Sequence, residues 1–189
     1  MESVVSLSAQ NAGFTLIELM IVIVVLAIFV TVGVPNFQNI VRENRLATQA
    51  NELVSSLHFA RSEAIKRRLP IVLCRTTNGT ACVTGGTASW ESGWLVFVDD
   101  NDNGAFNSGA GEQLLRSVSA NPTSTLRSIN ANSNDTVRFR NNGLLLNAPG
   151  EFNLCDAKTA DRASGRNIDI NVTGQVITQL GTSVVASCT

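Results

Sequence analysis

Residues 14–34 form one predominantly apolar run, from Phe14 to Val34, carrying a single carboxylate at Glu18 and closed by Pro35. About 20 such residues are what an α-helix needs to cross a bilayer. A charge held in hydrocarbon costs at least about 2.5–3.5 kcal/mol, so a plain anchor has no reason to keep Glu18. Its expected partner is a cation met when the segment leaves the membrane or docks on a neighbour, because an opposite charge in a low-dielectric bundle recovers much of the burial cost. A secretory signal peptide fits poorly, since the apolar run is too long and no small-x-small site follows it. Pro35 removes one helical hydrogen bond and is expected to bend or melt the helix there.

Helical periodicity resumes beyond Pro35. Leu46, Ala50, Leu53, Leu57, Ala60 and Ala64 advance by four and three residues and define one buried face. Arg45, Glu52, Ser56 and Glu63 are expected on the outward side, with Glu63 and Arg67 as a favourable i,i+4 pair. Pro70 ends the helix by pushing its predecessor out of the α region. The chain thus divides into a leader (1–13), a membrane helix (14–35), an amphipathic helix (36–69) and a β-rich domain (70–189).

In that last segment the period changes to two. Ile71–Cys74, Gly93–Val98, Gln113–Val118, Thr136–Arg140, Asn167–Val172 and Gln175–Gln179 read as strands separated by Gly, Asn and Asp clusters. Thr173-Gly174 signals a hairpin between the last two. The predicted class is α+β: a long kinked helix packed on an antiparallel β domain.

The chain has 14 basic and 15 acidic residues, and loss of the leader with Glu2 leaves 14 of each. No global field therefore recruits nucleic acid or acidic lipid. Cys74, Cys82, Cys155 and Cys188 all follow the membrane segment, and an even count in an exported domain points to two disulfides. Zinc is the alternative, but no CxxC pair exists and the single histidine, His58, lies in the helix. The expected pairing is Cys74–Cys82, closing a short turn around Asn78-Gly79, and Cys155–Cys188, fastening a segment that otherwise frays.

Catalysis finds no support, since one helical histidine assembles neither a Ser/His/Asp nor a Cys/His constellation and no phosphate-cradling glycine loop follows a strand. No cofactor and no metal are expected. Asp99, Asn101, Asn103 and Gly104 match positions 1, 3, 5 and 6 of a calcium loop, but position 12 is Ala110, where a bidentate Glu is required. A turn without metal explains the same residues.

Gly13-Phe14-Thr15-Leu16-Ile17-Glu18-Leu19 resembles the signal of type IV prepilins and type II secretion pseudopilins. The resemblance implies cleavage by prepilin peptidase between Gly13 and Phe14, N-methylation of Phe14, Glu18 as the assembly carboxylate that pairs with a neighbour's N-terminus, and Pro35 as the helix-kinking proline. The leader departs from the usual basic pattern, having Glu2 and no Lys or Arg. Ala60-Arg61-Ser62-Glu63-Ala64, Trp90 to Asp99 and Glu112-Gln113-Leu114-Leu115-Arg116 resemble the GspH/FimT-type pseudopilins and minor pilins.

What this implies is a FimU/FimT-like minor pilin with a type IV pilin-like fold, at or near a pilus tip, that primes or supports assembly. Its partners would be other minor and major pilins or pseudopilins, prepilin peptidase and the inner-membrane assembly platform, with the C-terminal domain in the periplasm. The alternative in the same architecture is a GspH-type minor pseudopilin of a type II secretion system. A second alternative is DNA capture, because some FimT-type minor pilins bind DNA through a Gly-Arg-x-Arg stretch. Here the string is Gly165-Arg166-Asn167-Ile168, lacking the second arginine. Lys158, Arg162 and Arg166 form the candidate DNA-binding patch, with Asp156, Asp161 and Asp169 around it. Phosphate binding grows with the cations engaged, so this nearly neutral cluster ranks below assembly.

Overall fold

The computed structural model describes residues 13–85, 89–129, 135–146, 149–159, 161–181 and 188. The leader, apart from Gly13, lies outside them. Two compact units are present, Met1–Val41 and Arg42–Thr189.

One helix, α1 (Leu16–Arg67), belongs to both units. It stays helical through Pro35, which therefore does not melt it. Pro35 lacks the N–H that would bond the Thr31 carbonyl, and one residue on, Asn36 Nδ2 donates to the Val32 carbonyl at 3.1 Å. The helix ends at Arg67, where Arg68 takes a left-handed conformation (φ 57°) two residues before Pro70.

Within the second unit, the stripe of Leu46, Ala50, Leu53, Leu57, Ala60 and Ala64 is buried as the periodicity requires. Arg45 and Glu52 are exposed, but Ser56 and Glu63 are not outward-facing. The covered face is wider than one stripe. Ser56 Oγ donates to the Glu52 carbonyl and accepts from Arg116 Nη1 at 3.2 Å, while Glu63 is held by Arg67 Nε at 2.5 Å and Lys66 Nζ at 3.4 Å.

Eight strands follow: β1 (Ile71–Arg75), β2 (Gly93–Val98), β3 (Leu114–Ser119), β4 (Ser124–Ser128), β5 (Thr136–Phe139), β6 (Gly150–Asp156), β7 (Arg166–Ile170) and β8 (Val176–Leu180). They form two antiparallel four-stranded sheets, ordered β3-β2-β1-β5 and β4-β6-β7-β8. The period-two reading does not pick out β4 or β6. Yet Phe152 and Leu154 on β6 alternate with Glu151 and Asn153 and supply the centre of the second sheet.

Ile71, Leu73, Trp94, Val96 and Val98 of the first sheet and Leu126, Phe152, Leu154, Ile168 and Ile170 of the second share one core with α1. Trp90 stands edge-to-face on Phe152, centroids 5.1 Å apart, and so ties the strand-β2 approach to β6. The first sheet is covered on its other face as well, where Val72, Cys74, Leu95 and Phe97 pack with Cys82 and Phe106. The sheets also meet at one end, where the Leu145 N–H donates to the Val172 carbonyl at 3.1 Å.

Candidate functional site

Thr15 starts α1 as its N-cap, its hydroxyl accepting from the Glu18 N–H at 3.3 Å. This Thr-x-x-Glu spacing places Glu18 in the first helical turn, where the helix dipole favours an acid. Phe14 is 84% exposed, and Gly13 before it is exposed too, so the expected cleavage site is accessible. Every apolar side chain from Leu16 to Val34 is exposed, and the most apolar window of the helix is not buried at all. A helix greasy on all sides and unpacked by its own chain requires apolar surroundings supplied from outside it. This helix anchors the chain in a membrane.

The Asp99–Gly104 loop is filled by the chain's own groups. Asp99 is fully buried; its carboxylate accepts the N–H groups of Asn103 and Gly104, each at 3.0 Å. Asn101 and Asn103 side chains accept from Asn103 and Ala105 N–H groups. Where a cation would sit, Arg138 of β5 donates through Nη2 to Asp99 at 3.0 Å, to the Asp102 carbonyl at 2.9 Å and to the Asp102 carboxylate. Gly104 takes a left-handed conformation (φ 75°), which favours glycine there, while a Cβ would meet Arg138 Nε at an ordinary 3.6 Å. Among the described residues no three His, Cys, Asp or Glu side chains are grouped to hold a metal ion.

The loop between β6 and β7 carries the proposed basic patch. Lys158 and Arg162 are exposed on it, but Arg166 is half-buried on β7, on the same face as the core residues Ile168 and Ile170. The neighbouring acids organise the loop. Asp156 accepts from the Lys158 N–H, the Thr159 N–H and the Thr159 hydroxyl, and Arg42 Nη1 of α1 donates to that hydroxyl at 3.1 Å. Burial opposes ionisation of Asp156, but these bonds and the Arg42 charge outweigh it and hold the carboxyl below its usual range. Asp161 is likewise held low, first by the Ala163 N–H and then by the Ser164 hydroxyl. Both carboxylates therefore stay charged beside Lys158 and Arg162 at neutral pH.

Cys74 is bonded to Cys82 and Cys155 to Cys188, the two pairs reasoned from the sequence. The first bond sits under Phe106; the second holds Cys188 against β6, with the Cys188 carbonyl accepting from Thr125 Oγ1 at 3.2 Å.

Residues 49–174 match the family model described as type II transport protein GspH. The chain belongs to the GspH family. Residues 8–34 match the prokaryotic N-terminal methylation motif. Two crystal forms of the type IV minor pilin FimU of Pseudomonas aeruginosa strain PAO1 are similar in structure, both with TM-score 0.54. One is 25% identical and covers 77% of this chain and 96% of that one; the other is 23% identical and covers 76% and 99%. No curated protein sequence matches. The fold is thus that of a type IV pilin, the GspH-family member interacts with other pilins or pseudopilins in an assembly, and it is a structural subunit, not an enzyme.

Proposed function

We propose that this GspH-family protein is a minor pilin of the FimU/FimT group, incorporated at or near the tip of a type IV pilus, where it primes or supports assembly. The observation that carries the reading is the wholly exposed apolar half of α1 with Glu18 in its first turn, in a chain that resembles FimU over 77% of its length. Prepilin peptidase removes residues 1–13 and Phe14 is N-methylated. Residues 14–35 hold the chain in the inner membrane, with residues 36–69 and 70–189 in the periplasm, until the assembly platform extracts it. Glu18 then pairs with the N-terminal amine of an adjacent subunit, and Pro35 provides a bend. Glu18→Ala should insert into the membrane as well as wild type but be depleted from sheared filaments. Wild-type incorporation of that variant refutes the assignment of Glu18.

The match of residues 49–174 to the GspH model favours a second reading, a minor pseudopilin of a type II secretion system. A deletion strain separates the two: loss of surface pili supports the first, loss of protein secretion with pili intact the second. DNA capture ranks below both, because Arg166 is turned toward the core and two ionised aspartates flank Lys158 and Arg162.

A further inference from the structure

The Ala60–Ala64 stretch of α1 carries two charges, Arg61 and Glu63, and only one of them is matched. Glu63 is buried and holds Lys66 and Arg67. Arg61 is half-buried and has no acidic partner among the described residues. Its Nε donates to the Gly143 carbonyl at 3.2 Å, while neither Nη group is bonded to a described residue or buried. A guanidinium fixed through Nε alone keeps both Nη groups as an end-on pair of donors, the geometry that a carboxylate matches.

Both sheets build the seat of Arg61. The turn after β5 is closed by the Gly143 N–H to Arg140 carbonyl bond at 2.8 Å, and the turn between β7 and β8 by the Gly174 N–H to Asn171 carbonyl bond at 2.9 Å. The two turns meet at α1. A Cβ on Gly174 (φ 73°) would fall 2.6 Å from the Gly143 carbonyl oxygen and 3.1 Å from Arg61 Cδ, and one on Gly143 (φ 78°) would fall 2.7 Å from Ile65 Cδ1. Glycine at both positions therefore lets the turns close on the stem of Arg61 and set its direction. The side chains beside it are apolar and open to solvent: Ile65, one helical turn on, is 50% exposed, Leu144 is 42% and Val172 is 55%. The Leu145 N–H to Val172 carbonyl bond at 3.1 Å keeps the last two on adjacent segments.

We propose that Arg61, flanked by Ile65, Leu144 and Val172, docks a carboxylate side chain that a neighbouring pilin-type subunit of a different kind presents among apolar residues. The carboxylate takes both Nη groups, and the apolar side chains exclude water around the pair, which strengthens it. A second copy of this chain is a poor occupant. A two-fold contact of the surface with itself sets guanidinium against guanidinium, and a head-to-tail contact with its own kind propagates without end, which a minor subunit does not do. Four side chains are fewer than a standard interface holds on each side. Co-residence in one membrane and one filament supplies the effective concentration that makes the contact sufficient. The inference rests on the minor-pilin reading above and names the chemistry by which the subunit selects its neighbour.

The test uses the full-length protein in cells that build the filament. A photo-crosslinking amino acid, p-benzoylphenylalanine, is placed at Val172 in the wild-type background and in Arg61→Gln, Arg61→Lys and Leu144→Glu. The expected result is an adduct to a different pilin-type subunit, in a peptide that contains Asp or Glu. Arg61→Gln removes the charge, and Leu144→Glu sets a carboxylate of the chain's own beside it. Each should lower the adduct and filament recovery about tenfold, about 1.4 kcal/mol, with processing and abundance unchanged. Arg61→Lys, which keeps the charge without the fork, should fall between them and wild type. Leu144→Glu changes an exposed side chain only, so it decides the matter if Arg61→Gln also lowers the melting temperature. No adduct, an adduct to a second copy or to lipid, an adduct peptide without Asp or Glu, or wild-type recovery of Leu144→Glu overturns the inference while the pilin reading stands. If wild-type protein is itself absent from the filament fraction, the pilin reading and this inference fall together.

Discussion

Arg138→Met removes the guanidinium that fills the Asp99–Gly104 loop while keeping most of the side chain's packing. Asp99 is fully buried and Arg138 keeps about a fifth of its side-chain exposure (21%). Breaking a fully buried ion pair costs roughly 3–5 kcal/mol because one charge is left uncompensated. Here the Asn103 and Gly104 N–H groups still bind the Asp99 carboxylate, and the arginine is partly solvated, so about 2–3 kcal/mol is expected. For a unit of this size that lowers the melting temperature by about 5–10 °C. The assay is thermal and urea unfolding of wild type, Arg138→Met, Asp99→Asn and the double variant, each with and without millimolar calcium. The double variant should lose about 1–2 kcal/mol less than the two single losses combined, since removing both partners leaves no orphaned charge. Calcium should leave wild type unchanged. A loss below about 0.5 kcal/mol in Arg138→Met, or clear stabilisation of wild type by calcium, refutes the argument that the guanidinium is the loop's cation.

Leu57→Ala, at a fully buried position of α1, should cost about 3–4 kcal/mol through lost transfer energy and a cavity, read as a shifted urea midpoint. Replacing Cys155 and Cys188 by alanine opens a 33-residue loop and should cost about 3.7 kcal/mol in the chain-entropy model, against about 2.5 kcal/mol for the 8-residue Cys74–Cys82 loop before packing losses under Phe106. A loss below about 1 kcal/mol for the longer loop would sink that account. Asp169 is raised above the usual carboxylate range, first by burial and then by the Glu151 carboxylate opposite it, so its charge opposes folding at neutral pH. Asp169→Asn should therefore stabilise the protein at pH 7, a gain that disappears as pH falls through the raised value and Asp169 takes up its proton. Glu63, Glu91, Asp156 and Asp161 have the opposite sign: all are held low, so their stabilisation is present above about pH 4.5 and is lost in acid. For DNA, a gel shift at near-physiological salt should show weak binding with a shallow salt slope, log K falling about 0.9 per phosphate contact; submicromolar binding abolished by Arg166→Ala would make DNA capture the main function.

The long helix, its two characters and its buried stripe were legible in the sequence because they are local. Hydrophobic spacing of four and three residues names a face whatever lies opposite, and an acid in an apolar run is anomalous in any fold. The disulfide partners were also within reach, since Asn78-Gly79 makes a turn that brings Cys74 and Cys82 together; Asn78 Oδ1 accepts from the N–H groups of Thr80 and Ala81 there. The alternation of Phe152 and Leu154 was present too, but nothing local says that β6 lies at the centre of a second sheet between β4 and β7. Strand neighbours are chosen by pairing across long stretches of chain, and only the tertiary structure decided them. It also decided which polar residues are buried: Ser56 and Glu63 fall outside the apolar stripe, yet Arg116 and Arg67 reach them from elements that no periodicity connects to α1 or from its own last turn. The same holds for Arg138, 39 residues from Asp99 in the chain and 3.0 Å from it in space, which turned a sequence with calcium-loop spacing into one closed by its own cation.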